Sequence, residues 1–263
     1  MLAIVSPAKT LDYESPLTTR KFTDPQFVAE SQTLIKQLRK LSPQNLSQLM
    51  GISDNLAELN HRRYAEWEPC FEEQARPAIL AFKGDVYIGL DAQTMGERDF
   101  TWAQKHLRIL SGLHGLLRPL DRIHPYRLEM GTRLKTGKTN NLYEFWGDKV
   151  TNALNADLAE QKRPVLVNLA SNEYFNVLQS ANINARIIDV QFKELRKGKY
   201  QFLSFFAKKA RGSMARYMID QRVSSVKSLQ AFNYDGYSFN QELSDGDSWV
   251  FTRLPQTNGE TNV

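Results

Sequence analysis

The chain of 263 residues holds one cysteine and four histidines. A single thiol excludes an internal disulfide framework and a cysteine-rich metal site. Cys70 follows Pro69 with no base beside it, so it reads as a small buried apolar residue rather than a reactive thiolate. Glu58-Leu59-Asn60-His61 has the Glu-x-x-His spacing of di-iron bundles, but such sites need a second copy and the sequence has none. No metal and no cofactor is expected, because the ligand inventory is poor. No window approaches 18 apolar residues, so no transmembrane helix is expected. Met1 to Pro7 lacks the basic start and long apolar run of a secretory signal. Repeats, low-complexity tracts and Pro/Gly/Ser linkers are also lacking. With 41% hydrophobic and 24% charged residues, the chain reads as a soluble, cytoplasmic globular protein.

What is present is uneven charge. The net charge is +5. Between Asp54 and Asp99 there are ten acids and five bases; between Lys105 and Arg133, six bases and two acids; between Lys208 and Arg222, five bases and one acid. Positive charge gathered in two segments suits a phosphate footprint, although two solvated faces would show the same counts.

The apolar pattern indicates an α+β fold. One domain spans residues 1–254, with a mixed sheet, helices around it and a helical insertion between Gln26 and Leu120; residues 255–263 read as a polar tail. Leu2–Val5 and Val165–Leu169 are short apolar runs with the look of buried strands. Helical spacing covers 26–41, a short helix follows the Ser42-Pro43 cap, and Ser53 or Asp54 opens another toward Trp67. Further helices are expected over 97–110, stopped by Gly112, over 141–160 and over 207–223. Residues 186–195 and 200–206 read as strands joined at Arg196-Lys197-Gly198-Lys199, and strands near 236–239 and 248–253 close the fold.

Several segments are able to carry chemistry. Leu46 to Leu59 places two short helices around Met50-Gly51-Ile52-Ser53, like a helix-hairpin-helix DNA-binding element. There the amides opening the second helix bind a phosphate without reading sequence. Ser53 replaces the second glycine of the usual hairpin, and an ordinary αα-corner fits the same residues. Ser111-Gly112-Leu113-His114-Gly115 has a spacing one residue too long for such a hairpin and reads as a helix C-cap and turn, with Lys105, Arg108, Arg118 and Arg122 nearby. On the 207–223 helix, Lys208, Lys209, Arg211, Arg216 and Arg222 fall opposite an apolar arc. That is either a phosphate-tracking stripe or a solvated face. Two strand ends carry polar clusters, Ser6-Pro7-Ala8-Lys9-Thr10 and Asn168 to Tyr174. Ligands of parallel sheets sit at such ends, where Lys9 suits an anion, Glu173 a general base and Ser171 a ligand donor; capping and turn chemistry explains the same residues. Arg127 is either an anion clamp or the partner of Glu129.

Blocks spread over nearly the whole chain resemble the YaaA family: Ser6 to Thr10, Phe82 to Tyr87, Leu110 to Pro119, Pro125 to Gly131, Asn168 to Phe175 and Ala207 to Gly212, in the family's order. The resemblance implies a cytoplasmic, peroxide-induced protein that limits damage from iron and peroxide. It further implies a compact fold with a positively charged cleft and a helix-hairpin-helix element. The implied activity is binding of double-stranded and branched DNA without sequence specificity, with recombination-repair proteins as possible partners and no established catalysis. A passive DNA binder does not need polar clusters at two strand ends. The alternative is therefore an enzyme acting on a nucleotide or nucleobase, with Lys9, Arg127, Asn168, Ser171, Glu173 and Lys208 around one pocket.

Overall fold

A computed structural model describes residues 1–71 and 74–254; the expected polar tail, 255–263, lies outside them. At the centre is an eight-stranded sheet. Its strands are β1 (Leu2–Val5), β2 (Leu107–Ser111), β3 (Gly115–Leu117), β4 (Val165–Leu169), β5 (Arg186–Arg196), β6 (Lys199–Gln201), β7 (Ser238–Phe239) and β8 (Ser248–Arg253), in the order β7-β8-β5-β4-β1-β2-β3, with β6 paired to β5. The inner strands β8, β5, β4, β1 and β2 run parallel; β7, β6 and β3 are antiparallel. Every residue of β1, β2 and β4 is buried, which accounts for the unbroken apolar run of β1 and for the mostly apolar β2 and β4, whose polar Arg108, Ser111 and Asn168 are buried as well: a parallel strand covered on both faces has no solvent side to alternate with.

The helices relevant to function are α1 (Val28–Leu38), α2 (Pro43–Met50), α3 (Asp54–Glu66), α4 (Asp85–Leu90), α5 (Glu97–His106), α6 (Leu142–Trp146), α7 (Lys149–Ala159), α8 (Asn172–Phe175) and α9 (Ser204–Asp220). The helical insertion expected between Gln26 and Leu120 is shorter, from α1 to α5, because β2 and β3 of the central sheet occupy the end of that range. Ser42 caps α2 by accepting from the Asn45 amide at 3.2 Å, with Pro43 at the first helical position.

Five local expectations are corrected. The helix over 97–110 ends at His106, and Leu107–Ser111 is the buried strand β2. The following Ser111–Gly115 segment is therefore the turn of the β2–β3 hairpin rather than a helix C-cap. The 141–160 helix is two helices, parted at Gly147-Asp148. The strand expected over 200–206 stops at Gln201, and α9 starts at Ser204. Cys70 is exposed rather than buried.

Helix α9 crosses α4 with almost no separation. A Cβ on Gly212 would fall 1.7 Å from the Val86 carbonyl oxygen, and one on Gly89 would fall 2.0 Å from the Lys209 carbonyl oxygen. Only glycine permits this approach, and it fixes the height of α9 above the ends of β1 and β4. No helix among the described residues is long and apolar enough to cross a membrane.

Candidate anion-binding cleft

Connectivity locates the site. From β1 the chain passes to β2 on one side, then returns to β4 on the other and continues outward to β5 and β8. Strand order thus reverses between β1 and β4. The loops leaving their carboxyl ends diverge there and leave a crevice, as in other parallel sheets.

A cleft of about 350 Å³ occupies that place. The β1 exit supplies Ser6, Lys9 and Thr10, the β4 exit supplies Ser171, Glu173 and Tyr174, and the start of α4 supplies Asp85 after Lys83 and Gly84. Lys208 and Arg211 of α9 complete the lining. The two strand exits are tied together: the Ser171 amide donates to Ser6 Oγ at 2.9 Å, and the two hydroxyl oxygens stand 3.3 Å apart. Tyr87 of α4 donates to the Ser6 carbonyl at 3.2 Å; burial raises its pKa well above the usual tyrosine value, so it stays a neutral donor. Glu173 is oriented by the Gly131 amide, which donates to Oε1 at 3.0 Å.

Charge on the lining is distributed unequally. Lys9 Nζ lies 2.7 Å from Glu129 Oε2, and the other oxygen of that carboxylate accepts from Arg127 at 3.0 Å. Lys83 faces Asp12 at the longer distance of 3.8 Å. Among the described residues Lys208 and Arg211 form no ion pair. Arg211 Nε is buried without a hydrogen-bond partner, and desolvation by burial lowers the pKa of its guanidinium. A partly buried cation with an empty N–H is stabilised most by an anion brought to it.

The sequence-derived candidates divide into groups. Lys9, Ser171, Glu173 and Lys208 share the cleft. Arg127 stands behind it and holds Glu129. Asn168 is buried and structural: its side chain donates to Asp189 at 2.8 Å and accepts from the Ala170 amide at 3.0 Å, which shapes the turn out of β4. Of the six bases of Lys105–Arg133, four are paired in the structure: Arg108 with Asp157, Arg118 with Asp121, Arg122 with Asp24 and Arg127 with Glu129. Arg108 is only 5% exposed and cannot offer its guanidinium outward without leaving Asp157. Lys105 stays exposed at the end of α5. On α9, Lys209 pairs with Asp235, Arg216 with Asp220 and, just past its end, Arg222 with Asp99. Lys83 and Asp85 were not singled out from the sequence, although both lie inside a block that carries the family resemblance, whereas Glu129 is the partner of Arg127 that the sequence offered.

Met50, Gly51, Ile52 and Ser53 form the α2–α3 turn, away from the cleft lining. Gly51 has φ 60° and ψ 44° and closes α2 with its amide on the Ser47 carbonyl, while Ile52 is buried. Ser53 opens α3 without a side-chain cap. Tyr64 of α3 donates to the Arg127 carbonyl, which ties the helical hairpin to the loop behind the cleft. Among the described residues no group of three or more His, Cys, Asp or Glu side chains is placed to hold a metal ion.

Fold and cleft together define a mixed-sheet protein with a partly cationic cleft at the reversal of strand order. The model of the family described as Peroxide stress protein YaaA matches residues 1–243. The chain belongs to that family.

Proposed function

We propose that this peroxide stress family protein binds double-stranded and branched DNA without sequence specificity. In that way it limits iron- and peroxide-dependent DNA damage in the cytoplasm, in contact with recombination-repair proteins. The observation that carries the reading is the pair Lys208 and Arg211: these are unpaired cations on a cleft wall, in a molecule that neutralises most of its other clustered bases internally. Lys9 and Lys83, on the same lining, are able to exchange their carboxylates for phosphate. Contacts of this kind position DNA without selecting a sequence. The exposed α2–α3 turn is a second phosphate contact of the same reading.

The test is titration of a labelled duplex and a four-way junction at two salt concentrations. Binding is expected to be salt-sensitive and indifferent to sequence. Lys208→Ala should weaken all duplexes alike and reduce the log–log salt slope by about 0.9. An unchanged slope removes this cleft wall from the interface, and absence of binding at low salt rejects the reading.

The convergence of Lys9, Ser171, Glu173 and Lys208 in one cleft favours a second reading, an enzyme acting on a nucleotide or nucleobase. A volume of about 350 Å³ falls in the range of small-ligand sites. In that reading Lys208 and Arg211 hold the phosphate, and the Glu173 oxygen not taken by Gly131 accepts a proton or a ring N–H. Calorimetric titration with nucleoside monophosphates tests it: binding lost in Glu173→Gln supports it, and no heat with any of them rejects it.

A further inference from the structure

One stretch of surface combines two features seldom left open together. Tyr200, Phe202 and Phe205 are 37%, 55% and 58% exposed. They lie within residues 196–208, which hold four bases (Arg196, Lys197, Lys199 and Lys208) and no acid. Isolated exposed apolar residues need no explanation, but a run of aromatics does.

The platform under them is firm. The β5–β6 hairpin pairs Arg196 with Lys199 and Leu195 with Tyr200, and its turn places Lys197 and Gly198 at positive φ. Phe205 packs edge-on against Phe206 with ring centroids 5.4 Å apart. Phe206 lies 4.9 Å from the Arg253 guanidinium, and Arg253 is locked by the buried Glu194 carboxylate at 2.7 Å. The outer ring is therefore held by a buried ion pair. Phe205, Lys208 and Arg211 follow one another three residues apart, so they rise along one face of α9. The aromatic surface consequently runs straight into the cationic wall of the cleft.

Three occupants are conceivable. The chain beyond Leu254, Pro255 to Val263, is almost wholly polar and offers little to cover rings. A second copy of the same surface would bring four bases against four. A single-stranded nucleic acid matches both features, since each base presents a π face for stacking and each phosphate a negative charge.

We propose that residues 196–208 form a stacking platform for unpaired bases of DNA, at a single-stranded stretch or a branch point. Tyr200, Phe202 and Phe205 take the bases, and Lys197, Lys199 and Lys208 take the phosphates, with Arg196 held 3.7 Å from Glu194. The inference rests on the DNA-binding reading and assigns to a particular surface, beside the cleft, the contact with unpaired bases.

The experiment compares labelled (dT)15, a blunt duplex and a fork carrying that duplex with two unpaired arms. A Phe202→Ala/Phe205→Ala double variant should lose at least about tenfold in affinity for (dT)15 and the fork, with duplex affinity unchanged. Phe205→Tyr, which keeps a stacking ring, should restore the Phe205 share. Matching thermal midpoints of the variants separate a lost contact from a lost fold. Wild-type affinity of the double variant for (dT)15 overturns the platform, as does an equal loss on all three probes. Duplex binding by the wild type without (dT)15 binding overturns it and leaves the DNA reading standing; binding of no probe at low salt rejects both. Normal (dT)15 binding with a change in sedimentation assigns the rings to self-association and overturns the proposal.

Discussion

The most telling single residue for stability is His114. It is fully buried; its Nδ1 lies 3.0 Å from Ser31 Oγ, and its Nε2 has no partner. Burial pushes its pKa down from 6.5 to about 3. The folded ring stays neutral while the unfolded chain takes up a proton below about pH 6.5. Between these values the unfolded state binds more protons, so stability falls as pH drops, with about 1.4 kcal/mol per unit from this group. Urea midpoints should approach that slope below about pH 5.5 and level off toward pH 7, and His114→Asn should reduce it even where it lowers stability overall, leaving the smaller part that half-buried His106 adds in the same direction. A parallel slope in the variant assigns the acid sensitivity to other groups. Asp12, held down to about 2 chiefly by the Ser15 amide, adds to acid lability only at lower pH, where its carboxyl starts to protonate.

At the scale of elements, the crossing of α4 and α9 sets the width of the cleft. Gly212→Ala places a methyl against the Val86 carbonyl, and backbone has no rotamer with which to retreat. The expected cost is about 2–3 kcal/mol, read from the urea midpoint. DNA or nucleotide binding should fall as well, because Lys208 and Arg211 move with the helix. Stability within about 0.5 kcal/mol of wild type would show that the helices separate freely and that the crossing does not define the site. These elements also show how far the sequence could be read. β1, β4, α2 and α3 were legible because each begins or ends at strong punctuation: Ser6-Pro7, Ser42-Pro43, Gly51. The α5–β2 junction was not. No glycine or proline stands at 106–107, and Leu107-Arg108-Ile109-Leu110-Ser111 is short and mixed enough to fit the end of a helix as well as a buried strand. The strand-end clusters were legible as candidates, but their meeting in one cleft depends on β1 pairing with β4, a contact about 160 residues apart that no local pattern encodes. The aromatic surface at 200–205 was missed because its residues read as one more apolar strand; only exposure distinguishes a buried ring from an open one.

For the whole molecule, the lesson is where charge ends up rather than how much there is. The sequence shows two basic clusters, and the fold discharges most of both through Asp24, Asp99, Asp121, Asp157, Asp220, Asp235 and Glu129. The uncompensated pair at 208 and 211 stands out against that background. Removing a compensated base should therefore act on stability rather than on binding. Arg122→Ala, which frees Asp24, should leave DNA affinity and its salt slope within about twofold of wild type, whereas Lys208→Ala changes both. A salt slope that drops equally in the two variants would mean that internal pairing does not decide which bases meet phosphate.

The interior position of β1 has a consequence for biosynthesis. Its partners β2 and β4 are made about a hundred and about 160 residues after it. At ordinary elongation rates that delay is on the order of ten seconds or more. Throughout that time Leu2-Ala3-Ile4-Val5 is a bare, sticky segment with both edges open. The strand that ends as the best protected in the sheet begins as its longest-waiting one, so the nascent chain has more need of a chaperone than the finished protein suggests.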